Sequence, residues 1–394
     1  MKLAISGQFF HTENTGSGQY TRLLTRELSY LWDGEIRVFV PSAADNKGKA
    51  VRGQSSDDKL RANSNVKVTP LDVPAGKRLG KLWFEQISLP LAARAFGADL
   101  LHVPYFGPPL FSPCPVVATV HDLIPMAWPG IRPSASMKLY NWLAGLGAKR
   151  ARLLIADSKY TKSDIISHLK IPEERVFVVY LGAPSGLPTI DENTLDAVLS
   201  KYSLAREGYI LYVGGLDKRK NVPALLTAFA GAEVKETLAL AGEPRSLNKE
   251  NFPDLTKVVD LSKYQKRIKF LGWVSEEDKP FLYGGAAFFV YPSEYEGFGL
   301  PPLEAMAWGA PVVCSSATSL PEVTGDAALT FEPGDIIGLQ HNIERLSGDA
   351  ALREELKSRG RERARLFSWR STAEQTLKVY GEALRERGYL VPSR

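Results

Sequence analysis

Short apolar runs separated by amphipathic stretches set the pattern of this chain. In the first half the runs fall at Lys2–Ser6, Ile36–Val40, Val66–Leu71, Asp99–Val103, Val116–His121, Leu153–Asp157 and Val176–Leu181. Each reads as a strand. Helical patterns lie between several of them. The clearest is Gly18–Leu31, where Tyr20, Leu23, Leu24, Leu28 and Leu31 share one face. The second half repeats the rhythm with strands at Tyr209–Val213, Thr237–Ala241, Arg267–Leu271, Ala287–Tyr291, Pro311–Ser315 and Ala327–Phe331. Ser275 is placed to cap a helix, and the chain turns helical from Asp335 to about Gly388, with Ser368 placed to cap the last helix. Strands alternating with helices predict an α/β chain with doubly wound parallel sheets. A Pro/Gly-rich link, Gly182–Pro188, divides the halves and is a candidate hinge. Residues Ala43–Asn65 break the rhythm: they are polar, without apolar periodicity and long for a loop, and are expected to form a mobile excursion.

Composition narrows the class. At ~150 residues per domain, 394 residues imply two or three domains. The apolar share of 44% suits a soluble α/β protein. The net charge is only +5, with basic and acidic residues interspersed, so nucleic acid is not an expected partner. Two basic groups stand out, Lys77/Arg78/Lys81 and Lys149/Arg150/Arg152. They read either as solvated surface or as a patch facing anionic lipid headgroups or an anionic acceptor. Cys114 and Cys314 are far apart and are expected as separate core residues in a reducing compartment. Leu3-Ala4-Ile5 is too brief for a signal peptide, and no window approaches the roughly 20 apolar residues of a membrane span. A cytoplasmic protein is expected, with peripheral association at the inner face of the membrane as a further expectation.

The chemistry gathers at strand ends. After the run Ala286–Tyr291 comes Ser293-Glu-Tyr-Glu-Gly-Phe-Gly-Leu-Pro-Pro-Leu-Glu304, leading into a helix through Pro301 and Pro302, which suit a first helical turn. A glycine-bearing loop entering a helix points free backbone N–H groups, with partial positive charge, at whatever sits above the sheet. Phosphate is the natural guest. Glu296 and Glu304 flank the loop and can accept hydrogen bonds from hydroxyls, so a sugar nucleotide is suggested. Lys218-Arg219-Lys220 follows a strand end and the pair Gly214-Gly215. Fixed cations there would stabilise charge developing on a departing diphosphate. His121-Asp122 ends another strand, where side chains enter the crevice of an α/β sheet. Asp122 is expected to orient the imidazole or to touch acceptor. Gly16 and Gly18, in Asn14–Tyr20, allow close approach of backbone to an anion. A dinucleotide fingerprint fits poorly, because Thr21 occupies the third glycine position and no acid ends the second strand. No metal site is expected: the five histidines lack paired spacing and no Asp-x-Asp follows a strand.

The spacing of Glu296 and Glu304 around Gly297-Phe298-Gly299-Leu300-Pro301 resembles the Glu-x7-Glu signature of family 4 retaining glycosyltransferases with the GT-B fold. The likeness extends over nearly the whole chain. It implies two Rossmann-like domains facing across a cleft, residues 1–183 with a returning C-terminal helix at about 372–394, and residues 184–371. It implies transfer of a hexose from a nucleotide diphosphate sugar to a saccharide or glycolipid acceptor, without cofactor or metal. Residue by residue, Glu304 would take ribose hydroxyls and Glu296 donor-sugar hydroxyls. The amides of Gly297, Phe298, Gly299 and Leu300 would grip the sugar or distal phosphate. Arg219 and Lys220 would clamp the leaving diphosphate, beside Gly215, where many relatives carry Arg. Gly16 and Gly18 would lie under the donor phosphates and His121 near the reacting carbon, with Tyr20 on the acceptor or orienting side. Trp273 and Val274 would line the base, although core packing of Trp273 is an equal reading. The Arg-Lys-Asn run and His121-Asp-Leu-Ile-Pro125 most resemble mannosyltransferase-like members, so GDP-mannose is the first choice of donor. The rivals are an inverting or epimerising GT-B enzyme with Asp122 as base, and a non-catalytic sugar-nucleotide-binding protein. A glycosidase pair is not expected, since a carboxylate at a helix N-terminus keeps its charge.

Overall fold

A computed structural model describes residues 1–12, 15–43, 65–74, 76–184, 191–243, 253–258, 261–264 and 266–385. The expected excursion (44–64), Asn14, Ser185–Pro188 of the link, Pro244 and the chain beyond 385 lie outside the described residues. The chain divides into two compact units. The first comprises Met1–Ala127, Arg132–Gly182 and Trp369–Arg394; the second comprises Trp128–Ile131 and Ala183–Ser368.

In the first unit, β1 (Lys2–Ser6), β2 (Glu35–Ala43), β3 (Val66–Val73), β4 (Leu100–Val103), β5 (Val116–Val120), β6 (Leu153–Ala156) and β7 (Val176–Val178) form one sheet in the order β3-β2-β1-β4-β5-β6-β7. Every pairing is parallel. All five residues of β5 and all four of β4 and of β6 are buried, which is why these segments read as continuous apolar runs. β2 and β3 run past the apolar stretch because they stay in register from Ile36↔Val66 to Ala43↔Val73. The helix Gly16–Leu31 starts from Thr15, whose hydroxyl accepts the Gly18 amide, and buries Tyr20, Leu24 and Leu28.

The second unit holds β8 (Tyr209–Val213), β9 (Thr237–Ala241), β10 (Ile268–Gly272), β11 (Phe288–Tyr291), β12 (Val312–Ser315) and β13 (Ala328–Phe331), parallel throughout, in the order β10-β9-β8-β11-β12-β13. Every strand expected from the apolar pattern is therefore present. Ser275 does not cap a helix directly. It accepts the Asp278 amide in a turn, and the helix itself runs Lys279–Gly284. The last helix, Trp369–Arg385, belongs to the first unit, where Tyr380 donates to or accepts from His102 Nδ1 at 2.7 Å and Thr372 bonds the Tyr180 carbonyl. Both units are Rossmann-like, and each sheet has one point where strand order reverses: β1/β4 in the first and β8/β11 in the second.

Candidate active site

At the β8/β11 reversal two strand-end loops are stitched together. β8 leads into Gly214-Gly215, and the residue after β9 must be bare beside them: a Cβ on Gly242 would stand 2.0 Å from the Gly214 carbonyl oxygen. One 3-10 turn, Lys218–Lys220, then closes on Asn221 in the left-handed region, and the helix Val222–Gly231 begins. Asn tolerates that conformation better than most residues. From the other side, β11 leads to Ser293, and the helix Leu300–Trp308 starts from Gly299, with φ of 113° and proline in its first turn. The Glu294 amide donates to the Arg219 carbonyl at 2.8 Å, and Arg219 Nη1 donates to the Tyr295 carbonyl at 2.7 Å.

Glu296 lies at the centre of this junction, buried. Its Oε1 accepts from Arg219 Nη1 at 2.7 Å, Lys220 Nζ at 2.6 Å, Ser293 Oγ at 2.5 Å and Tyr291 Oη at 3.0 Å. Lys220 also donates to the Tyr291 hydroxyl, and Asp217 sits 3.5 Å from Arg219 Nε. The Glu296 backbone is held as firmly. Its amide donates to Thr318 Oγ1, while the hydroxyls of Thr318 and Ser319 donate to its carbonyl. Thr318 adopts φ of 51°, a conformation that a β-branched residue enters only where its surroundings demand it.

Electrostatics follow from this packing. Burial alone would raise the Glu296 pKa, but the Arg219 and Lys220 cations outweigh it and bring the group down to about 2. Burial, with help from Arg219, lowers the Lys220 pKa against the pull of Glu296. Glu304, the second acid of the motif, sits elsewhere on the same unit and departs from expectation. It is the fifth residue of its helix, bonded by the Tyr283 hydroxyl at 3.0 Å, and burial raises its pKa despite Lys279 nearby. Desolvation there exceeds the helix-end effect, which fades within the first turn. Trp273 is 54% exposed, so the core-packing reading fails, whereas Val274 is buried. Phe298 is buried against Phe367. Gly299 leaves no room for a side chain, since a Cβ would meet Leu320 Cδ2 at 2.7 Å. A Cβ on Gly215 would meet only Asp217 Oδ2, at 3.0 Å.

The first unit carries a separate cluster. His121 follows β5; its Nδ1 meets Asp157 Oδ2 at 2.6 Å and its Nε2 meets the Pro104 carbonyl at 3.0 Å. Asp157, not Asp122, therefore orients the imidazole. Asp122 instead accepts the Ile124 amide at 3.0 Å. Burial works against charge on His121, yet Asp157 and the carbonyl prevail and its pKa is raised. Tyr20 is buried, stacked edge-on to His121 with centroids 4.8 Å apart, its hydroxyl bonded to Thr119. Its place is that of an orienting group under the histidine. Gly18 is required by packing: a Cβ would fall 2.1 Å from the Thr12 carbonyl, while Gly16 faces open space. His102 is a core residue, held by Thr119 and Tyr380, with its pKa pushed down to about 3 by burial.

Sequence reasoning missed several members of these clusters, Asp157, Tyr291 and Thr318 among them. Asp157 was visible as an acid at a strand's carboxyl end, the same signal that singled out His121. Tyr291 was absorbed into the strand pattern, and Thr318 carries no local signal at all.

Two Rossmann-like units, one with a cation–carboxylate knot at its switch point, define a glycosyltransferase of the GT-B type. Comparison bears this out. Residues 14–185 match the model of Glycosyltransferase Family 4, and residues 200–363 match that of Glycosyl transferases group 1. The O-antigen chain mannosyltransferase B of Escherichia coli is 36% identical over 70% of this chain and 73% of its own length. The serotype-specific mannosyltransferase WbdA of the same organism is 31% identical over 69% of this chain, which spans 34% of that longer protein. Anabaena HepE in complex with UDP and glucose shares the fold with a TM-score of 0.75 at 19% identity, covering 97% of this chain and 100% of that one. The chain belongs to the group 1, family 4 glycosyltransferases.

Proposed function

We propose that this enzyme transfers mannose, with retention, from GDP-mannose to a hydroxyl of a growing glycan or lipid-linked saccharide. The observation that carries the reading is the Glu296 knot at the β8/β11 switch point, where α/β sheets take ligands. Glu296 is anchored through Oε1, and among the described residues no donor meets its Oε2. That oxygen is the one to accept a donor-sugar hydroxyl. Arg219 and Lys220, drawn together by one carboxylate, supply fixed positive charge for the leaving diphosphate at no reorganisation cost. Glu304 takes ribose hydroxyls, and the exposed Trp273 offers a ring face to the base. The retained anomer follows from front-face substitution, in which the departing phosphate accepts the acceptor proton. The mannose assignment draws on relatives named as mannosyltransferases.

Thermal shift with GDP, UDP and GDP-mannose tests the donor. At 100-fold over Kd a nucleotide adds about 2.7 kcal/mol of stability, so GDP and GDP-mannose should raise Tm and UDP should not. A shift with UDP alone overturns the mannose reading; no shift with any nucleotide overturns the site. NMR of the product then reads the anomer, and an inverted linkage removes the mechanism.

A further inference from the structure

We propose that one face of the first unit, built from the helical segment Lys77–Phe96 and the helix Ala135–Arg150, docks on an anionic lipid bilayer. The segment runs as Lys77–Trp83, one π-helical turn at Phe84–Ser88, and Leu89–Phe96. Phe84, Leu89, Ala93 and Phe96 are buried in the unit. Leu79, Trp83, Ile87 and Leu91, one at every fourth position, are exposed, Leu79 by 71%. Residues so spaced share one side of a helix. The helix therefore presents two apolar faces, and only one is covered.

The second helix and a loop extend this surface. Leu139 and Trp142 are exposed on Ala135–Arg150, and Phe111 is 76% exposed in the loop before β5. The three pieces are joined. Tyr140 donates to Glu85 Oε1 at 3.1 Å, Lys81 stands over the Tyr140 ring at 4.2 Å, and the Leu110 amide donates to Gln86 Oε1 at 3.0 Å. Arg150 bonds the Leu110 carbonyl and stacks on Phe111 at 4.8 Å. Large apolar side chains exposed together on joined elements mark a surface that meets a partner, whereas single ones scattered over a protein do not.

Charge selects the occupant. Residues 77–96, 104–115 and 135–150 carry seven Lys or Arg and one acid, Glu85, and that acid is buried. The chain as a whole is nearly balanced, with 49 basic and 44 acidic residues. Tryptophan and aliphatic side chains interleaved with cations, with no exposed carboxylate inside these three segments, match the boundary between headgroups and acyl chains of an anionic membrane. A second copy packed isologously would set these cations against their own like. Among the described residues no helix is long and apolar enough to cross a membrane, so the face would lie in the interface plane. The proposal is independent of the donor assignment.

Flotation of the full chain with vesicles tests it. The chain should rise with vesicles of 40% phosphatidylglycerol in phosphatidylcholine, fail to rise with phosphatidylcholine alone, and detach as salt is raised. The pair Leu79→Ser with Trp142→Ser, and separately Lys138→Glu with Lys149→Glu, should each cut the bound fraction about tenfold. Both pairs are surface changes, so an unaltered Tm confirms that the fold persists. Equal flotation with both vesicle types, no flotation with either, or wild-type binding by both variants overturns the proposal. So does a dimer in solution that the Leu79/Trp142 pair dissociates, because a second copy then covers the face.

Discussion

At the residue scale, His121 shows how partners decide charge. Each ring nitrogen faces an oxygen that can only accept, Asp157 on one side and the Pro104 carbonyl on the other, so both nitrogens carry protons. A raised folded-state pKa contributes stability that is fully present below the unfolded value of 6.5 and lost as pH rises through the folded value. Asp157→Asn should bring the His121 pKa down and flatten that slope, read by NMR titration of the imidazole alongside melts from pH 5 to 9. Glu296 runs the other way. Its depressed pKa stabilises the fold above about pH 4.5, and the benefit disappears as pH falls towards 2. Glu296→Gln leaves Lys220 buried with its main compensation gone, and should cost about 3 kcal/mol in chemical denaturation while removing that acid dependence. Sequence assigned Arg219 and Lys220 to the leaving diphosphate and Glu296 to donor-sugar hydroxyls, as separate ligands of one donor. That they bind each other was not legible, because residues more than seventy positions apart meet only through the β8–β11 pairing.

Elements were read more easily than side-chain partners. Strands buried on both faces leave uninterrupted apolar runs, and β4, β5, β6 and β11 are of this kind. The π turn at Phe84–Ser88 was invisible, because a single five-residue step from Phe84 to Leu89 hardly disturbs a helical pattern. Gly299 offers a test at this scale. It holds φ of 113° at the entry to the helix Leu300–Trp308, with Leu320 Cδ2 where a side chain would begin. Gly299→Ala should destabilise by about 1–3 kcal/mol. Gly16→Ala, with nothing within 4 Å, should be nearly neutral in the same equilibrium unfolding experiment.

For the molecule as a whole, alternating strands and helices were enough to indicate two α/β halves. The return of the last helix to the first half came only through family resemblance, since nothing in its own sequence states which sheet it will cover. Trp369, Thr372, Thr376 and Tyr380 are buried there, and the Tyr380 hydroxyl completes His102. Ending the chain after Ser368 should therefore unfold the first unit and spare the second, seen as rapid proteolysis of residues 1–182 beside a surviving fragment from about 191 to 368. The same feature orders events during synthesis. A nascent polypeptide emerges from its amino end, so the piece that seals the earliest sheet leaves the ribosome only after the second unit has done so. The later half can finish while the earlier one waits, its unsealed layer open to chaperones until that helix emerges.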